Sequence, residues 1–398
     1  MSCQKAVLHT KLLNLYNTLR NMASVYAIFL LLQLSRLGDA RQCEKVTFKI
    51  QPSAENLDFG DAFQLANSTS VVEFVTHVLE TGDAPTNGFE EVAGSFEIAG
   101  VYCKPTGASQ VEQDRNSLQI LLHGNTYNSL VWEGYGCLPT YSWAEFANSH
   151  GFATLALDML GHGASSHPAP DTILQLSLEA SAIHSVVKLL HSGNNALGRA
   201  FDHLTFVGHS YGSITGSAIA RMYPEDFDSM VLTAFSSQTI FPSPNLDLRA
   251  EPAAGVSPKF RGLNSGHLTS TTQCGVESAF YAGAFDPAVV AVDFRHHDIL
   301  TVGEIGSVTL GFQTAEDFKG NILLVTGDQD RIFCPISLGT CRSILNQTKQ
   351  LFPQADHFDF HIPSETGHTI MLHRSAQNTF SFVTNWLIGI ESPLKVRA

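Results

Sequence analysis

The chain has 398 residues, 44% of them hydrophobic and 15% charged, with a formal net charge of −14 at pH 7. Acidity without any Lys/Arg cluster argues against nucleic acid or an anionic membrane as partner. The chain is longer than a typical single domain, yet α/β folds of about 250–350 residues often form one core, and neither repeats nor low-complexity tracts divide it.

The first predicted element is a targeting segment. Residues 23–34 form an apolar run, too short to span a bilayer easily and suited to the hydrophobic stretch of a signal peptide. Lys5, Lys11 and Arg20 precede it, and Gly38-Asp39-Ala40 presents small residues for a cut before Arg41. The lead is long, so Met22 is an alternative start, and a retained signal anchor is the rival reading. Residues 1–40 are expected to be a signal peptide of a secreted protein without stable membrane insertion. Without Cys3 the seven cysteines reduce to six, namely Cys43, Cys103, Cys137, Cys274, Cys334 and Cys341. An even number in an exported chain predicts up to three disulfides. Cys334 and Cys341 are close enough to staple one loop, and Cys43 and Cys103 flank the first two strand candidates. Asn67-Ser68-Thr69 and Asn346-Gln347-Thr348 are glycosylation sequons. No C-x-x-C occurs and no His/Asp/Glu set has metal spacing, so neither a metal nor a cofactor is expected.

Strand candidates follow near 45–50 and 95–103, with a stretch between them that carries no readable pattern. A regular alternation then begins. Residues 118–122 are a buried strand, 141–150 a helix stopped by Gly151, and 152–157 a strand. Residues 172–191 carry Leu176, Ile183, Val187 and Leu190 at helical spacing. Residues 203–207 are an apolar strand, and the helix at 213–223 is closed by Pro224. Strands at 229–233, 321–326 and 357–362 and a helix over about 371–388 complete the chain. Strands alternating with helices define βα units, hence a mostly parallel sheet with right-handed crossovers. Ligand sites in such sheets lie at the carboxyl ends of the strands.

One strand end carries Gly208-His209-Ser210-Tyr211-Gly212, a G-x-S-x-G pattern. With this glycine content chance supplies the pattern roughly 0.2 times per chain, so context must carry it. Strand, tight turn and helix form the context that presents a serine hydroxyl to a cleft. His123-Gly124-Asn125-Thr126 follows the strand at 118–122. An oxyanion formed by serine attack needs two preorganised N–H donors. Tyr211 is expected to supply one from its backbone, and Asn125 or Thr126 the other. Asp158 precedes Gly161-His162-Gly163 and reads as structural, because the expected order is serine, acid, histidine. Gly327-Asp328-Gln329-Asp330-Arg331 follows the strand at 321–326. Asp330 is favoured as the carboxylate that orients an imidazole. Asp328 reads as a turn former and Arg331 as a surface charge. Gly367-His368 follows the last strand, and His368 is the candidate base. His357 and His361 fall within that strand and His373 on the closing helix, so they reach a strand-end site less easily.

Taken together these features resemble the α/β-hydrolase family over residues 95–390. The resemblance rests on His123-Gly124, the Asp158 to Gly163 loop, the elbow, the Gly327 to Asp330 loop and Gly367-His368, in the order Ser, Asp, His. It implies an α/β-hydrolase fold: a mostly parallel eight-stranded sheet flanked by helices, with a cap inserted after the sixth strand. The core then occupies 41–236 and 313–398, and the cap 237–312, a segment with poor periodicity that includes Phe241, Phe260, Phe280 and Phe285. Residues 41–90 match nothing recognisable.

The expected reaction is two-step acyl transfer through Ser210, His368 and Asp330. Similar proteins that dehalogenate or open epoxides carry aspartate at the elbow, so Ser210 argues against those activities. The 26 phenylalanines favour a lipophilic ester or lactone as a small-molecule substrate. An acyltransferase or C–C bond hydrolase using the same three residues, or a non-catalytic binding member of the fold, are the alternatives.

Overall fold

A computed structural model describes residues 43–60, 68–106, 116–169, 171–193, 195–238 and 250–391. The expected signal peptide, the Asn67 sequon and Phe241 lie outside the described residues. The chain opens with strands β1 (Cys43–Ile50) and β2 (Ser53–Leu57), helix α1 (Ser68–Thr81), then β3 (Phe89–Ala93) and β4 (Phe96–Cys103). The alternating part follows: β5 (Ser117–Leu122), α2 (Trp143–Ser149), β6 (Ala153–Leu157), α3 (Leu176–Ser192), β7 (His203–His209), α4 (Tyr211–Met222) and β8 (Ser229–Thr233). An insertion contains β9 (Ala250–Pro252), β10 (His267–Ser270), α5 (Gln273–Phe280), α6 (Pro287–His296), β11 (Leu300–Thr301) and α7 (Val302–Ser307). The chain then returns through β12 (Asn321–Val325), α8 (Cys341–Thr348), β13 (His357–His361) and α9 (Ala376–Glu391).

The main sheet has eight strands in the order β1-β4-β6-β5-β7-β8-β12-β13. The β1–β4 and β4–β6 pairings are antiparallel, and those from β6 through β13 are parallel. The insertion leaves the sheet after β8, its sixth strand in the chain, and forms its own three-stranded sheet. Side chains alternate across each central strand, as a strand buried on both faces requires. Leu118, Ile120, Leu122, Phe206, Leu232 and Leu324 enter one core, with α3 and α4. Leu121, Val207, Val231, Leu323 and Val325 enter the other, with α2 and α9.

All eight predicted strands appear in this sheet, with ends shifted by two residues at most. The unread stretch between β1 and β4 contains α1 and the β2–β3 ladder. β3 (Phe-Glu-Glu-Val-Ala) is mostly exposed, so it carries no apolar alternation. The closing helix starts later than predicted, at Ala376. His373 therefore sits outside it, just after a 3₁₀ turn at Ile370–Leu372.

Cys43 pairs with Cys103 and Cys334 with Cys341. Cys43 and Cys103 face each other directly in the β1–β4 ladder. Cys274 is an exposed free thiol, so the six cysteines do not form three bridges among themselves. The Asn346 sequon lies on α8, and Asn346 is exposed. Among the described residues no helix is long and apolar enough to cross a membrane.

The first bridge spans 60 residues. Chain-entropy reasoning for a loop of that size gives about 4 kcal/mol of stabilisation. Replacing both Cys43 and Cys103 by serine should lower the denaturant midpoint accordingly. A midpoint equal to wild type would show that the ladder alone fixes this edge.

Candidate active site

Register brings the strand ends to one level. Leu122 pairs with Gly208, His209 with Thr233, Thr233 with Val325, and Val325 with His361. The loops carrying Asn125, Ser210, Asp330 and His368 all start from this edge.

Ser210 has φ 54° and ψ −118°, a conformation that L residues avoid. Its own backbone holds it there. Ser210 N–H donates to Thr233 O at 2.9 Å, and Ser210 O accepts from Ser213 N at 2.8 Å and Ile214 N at 3.0 Å. The flanking glycines permit the required packing. A Cβ on Gly212 would lie 2.3 Å from Leu122 O, and one on Gly208 2.7 Å from the Gly212 backbone. The elbow is thus pressed against the end of β5, and Ser210 stands at the N-terminus of α4, half-buried.

His368 Nε2 lies 2.8 Å from Ser210 Oγ, and His368 Nδ1 lies 3.0 Å from Asp330 Oδ2. Asp330 and His368 are both buried. The other Asp330 oxygen accepts from Ile332 N at 2.8 Å and Phe333 N at 3.1 Å. With the carboxylate fixed by backbone donors, Nδ1 is the donor to Asp330 and Nε2 is left as acceptor for the serine proton. The geometry thus joins the three residues expected from strand-end order. Phe280 and Phe333 flank the imidazole, with ring centroids 5.2 and 5.8 Å away. Phe280 belongs to the segment expected to shape the pocket, and Phe333 carries no such expectation.

The His368 loop is braced by a residue that the sequence had placed on a helix. His373 Nε2 accepts from Gly367 N at 3.0 Å, and its Nδ1 donates to Thr369 O at 2.8 Å. Burial lowers its pKa, which suits a neutral ring that both accepts and donates. His368 N also donates to Phe280 O, at 2.9 Å, tying the loop to the insertion. His357 and His361 lie in β13, away from these contacts. Asp328 accepts from Thr366 N at 3.1 Å, and Arg331 donates to Ser278 O at 3.0 Å. Arg331, expected to be a plain surface charge, therefore also reaches the insertion.

The loop after β5 lies against Ser210, since a Cβ on Gly124 would sit 2.9 Å from Ser210 Cβ. Thr126 N–H is already engaged, donating to Ile299 O at 2.8 Å. Among the described residues no acceptor takes the N–H of Asn125 or of Tyr211. Of the two candidates on this loop, Asn125 is the one with a free donor. His123 staples the loop: its Nδ1 donates to Gly124 O at 2.9 Å and its Nε2 accepts from Met159 N at 3.1 Å. Asp158 accepts from Ser129 N at 2.7 Å and Ala164 N at 2.9 Å. Its carboxylate braces two loops and makes no bond to His368.

Burial pushes the His123 pKa down to about 3, and burial pushes His209 well below the usual range. Each ring is neutral in the folded protein but titrates near 6.5 once unfolded. The folded state therefore binds fewer protons below that value. The contribution of these two rings is complete above pH 6.5 and falls as pH drops, by about 1.4 kcal/mol per pH unit for each ring. Urea midpoints should decline between pH 7 and pH 5, and His123→Asn should flatten that decline. Equal slopes in the two proteins would contradict a neutral His123.

A family model described as the alpha/beta hydrolase fold matches residues 120–362. Among curated proteins none matches this sequence. Similar solved structures include a thermophilic esterase from Thermogutta terrifontis with malate bound, 16% identical over 75% of this chain and 96% of that one, with a TM-score of 0.48. A serine hydrolase from Cycloclasticus zankles is 15% identical over 75% and 96% of the two chains, with a TM-score of 0.49. An epoxide hydrolase from Vigna radiata is 13% identical over 74% and 94%, with a TM-score of 0.47. The family model spans more than half of the chain and takes in the parallel strands from β5 to β13. This protein belongs to the α/β-hydrolase fold family.

Proposed function

We propose that this protein is a serine hydrolase that cleaves an ester-type substrate through an acyl-enzyme on Ser210. The observation that carries this reading is the continuous hydrogen-bond chain from Ser210 Oγ through His368 to Asp330, at 2.8 and 3.0 Å. His368 Nε2 takes the serine proton as Oγ attacks the carbonyl carbon. Asp330 stabilises the imidazolium that results. The carbonyl π pair moves onto oxygen, where the N–H groups of Asn125 and Tyr211 receive it. Each donor of this kind is worth about 3–4 kcal/mol in the transition state. His368 then gives its proton to the leaving alkoxide. Water, deprotonated by the same imidazole, releases the acid and restores Ser210.

Residues 237–312 serve as the cap over this site. Phe280 from the insertion and Phe333 from the core wall the imidazole, and an apolar wall of this kind favours a lipophilic ester or lactone. Disulfides at Cys43–Cys103 and Cys334–Cys341 suit an oxidising compartment, which agrees with a secreted protein and a signal peptide at 1–40.

A serine-directed fluorophosphonate should label the intact protein once and leave Ser210→Ala unlabelled. Asp330→Asn should lower kcat by about 10⁴-fold on p-nitrophenyl esters by favouring the wrong imidazole tautomer. A panel of such esters should show rates that depend on acyl chain length. Equal labelling of wild type and Ser210→Ala would overturn the assignment of the nucleophile. Background rates throughout the panel would overturn simple ester hydrolysis.

A further inference from the structure

The loop that bears Asn125 is held by one short stretch of the insertion. Thr126 N donates to Ile299 O at 2.8 Å, and Asp298 N donates back to Thr126 O at 2.6 Å. Asn128 Nδ2 donates to Asp298 Oδ2 at 2.7 Å. Tyr127 O accepts from His162 Nδ1 at 3.2 Å, and His162 Nε2 lies 2.8 Å from Glu304 Oε1. Glu304 is itself fixed by a capping box with Thr301 at the start of α7. Burial opposes charge on His162, but the Glu304 carboxylate, together with Asp298 and the Tyr127 carbonyl, offsets it and the His162 pKa is raised.

A further tie is Asp293 on α6, also fully buried. Three tyrosine hydroxyls donate to its carboxylate: Tyr135 at 2.5 Å, Tyr281 at 2.6 Å and Tyr127 at 3.3 Å. Burial raises the Asp293 pKa to about 6 while the three hydroxyls pull it down, so at neutral pH the group is an anion with three donors. Tyr135 and Tyr281 fix Asp293 in place. Tyr127 carries its hold to the site, because its hydroxyl also accepts from Thr369 Oγ1, at 2.9 Å. Tyr127 stands two residues after Asn125, and Thr369 immediately after His368. One hydroxyl thus spans the loop of the expected oxyanion donor and the loop of the expected base, and a buried carboxylate fixes it. A carboxylate in this setting is costly to bury and costly to leave partly unpaired. Its hydrogen-bonded connection to both loops runs through Tyr127, while Tyr281 stacks on His373 with ring centroids 5.3 Å apart. Asp293 itself bonds neither Ser210, Asp330 nor His368.

We propose that Asp293 is a positioning residue for the reaction: through Tyr127 it sets the distance between the Asn125 loop and the His368 loop, so that this part of the insertion is a fixed buttress of the site. The proposal rests on the serine-hydrolase reading, since it gives Asn125 and His368 their roles. Displacing reacting groups by about 1 Å costs on the order of 10²-fold in rate. The buttress should therefore act on kcat and leave substrate binding nearly unchanged.

Full-length Asp293→Asn and Tyr127→Phe are to be compared with Tyr135→Phe, which also bonds Asp293 but does not touch Thr369. On a p-nitrophenyl ester, Asp293→Asn and Tyr127→Phe should each lower kcat by about 10–100-fold with KM changed less than about threefold. Tyr135→Phe should lose less. The double variant Asp293→Asn/Tyr127→Phe should be no slower than the slower single, because both break one connection. Hydrogen exchange should quicken at the amides of residues 124–128 and 366–370 in Asp293→Asn. Wild-type kcat in Tyr127→Phe, a change confined to KM, or losses that simply multiply would each overturn the proposal. If Asp293→Asn does not fold, Tyr127→Phe decides by the same kcat and exchange readouts. If wild type neither labels nor hydrolyses, the functional reading fails by itself. Exchange then still tests the buttress, and unchanged protection at both loops would overturn it.

Discussion

Ser210 sits at φ 54° because its N–H and C=O are held by Thr233, Ser213 and Ile214 and because Gly208 and Gly212 let β5, β7 and α4 meet backbone to backbone. Strain of this kind costs of order 1–3 kcal/mol and persists only where the surroundings over-determine it. Here it aims the hydroxyl out of the sheet edge and toward His368. It also leaves Tyr211 N–H at the start of α4, where helix geometry supplies no internal acceptor. The same contacts therefore set the direction of the expected nucleophile and free one donor for the charge its attack would create.

A buried polar layer between the sheet edge and the insertion surrounds that centre. His123 and His209 are held neutral by burial, whereas His162 meets Glu304, and Asp293 meets three tyrosines. Each arrangement answers the cost of removing polar groups from water, either by keeping the group uncharged or by giving the charge donors. Because the partners come from both the core and the insertion, the two share one polar network. That explains why Phe280, on the insertion, both accepts from His368 N and lies against its ring.

The sheet was legible for a physical reason. Strands buried on both faces read as short, largely apolar runs, as Ile322–Val325 does, and Leu118–Leu122 does apart from Gln119. Residues placed just after those runs converge because parallel register brings the strand ends level. What stayed hidden depends on distant partners. β2 and β3 form a half-exposed ladder whose pattern is diluted by Glu90, Glu91 and Asn56. The insertion's helices are short, so Val276, Ala279 and Phe280 on α5 and Val289, Val290 and Val292 on α6 offer only brief apolar patterns. Nothing near Thr126 in sequence announces that its N–H is taken by Ile299, and nothing near Asp293 announces Tyr127, Tyr135 and Tyr281. Aromatic content points to the phenylalanines and not to these three hydroxyls, although Tyr127 stands beside the Asn125-Thr126 pair. His373 was misplaced because a 3₁₀ turn delays the start of the closing helix.

The proposed reaction requires a covalent intermediate at Ser210. Stopped-flow mixing of excess p-nitrophenyl ester with the protein, followed by acid quench and peptide mass analysis, measures it directly. A burst of about one equivalent of p-nitrophenol and an acyl group on the peptide containing Ser210 are expected. Turnover with no burst and no acyl adduct, or an adduct on another residue, would contradict the proposed reaction.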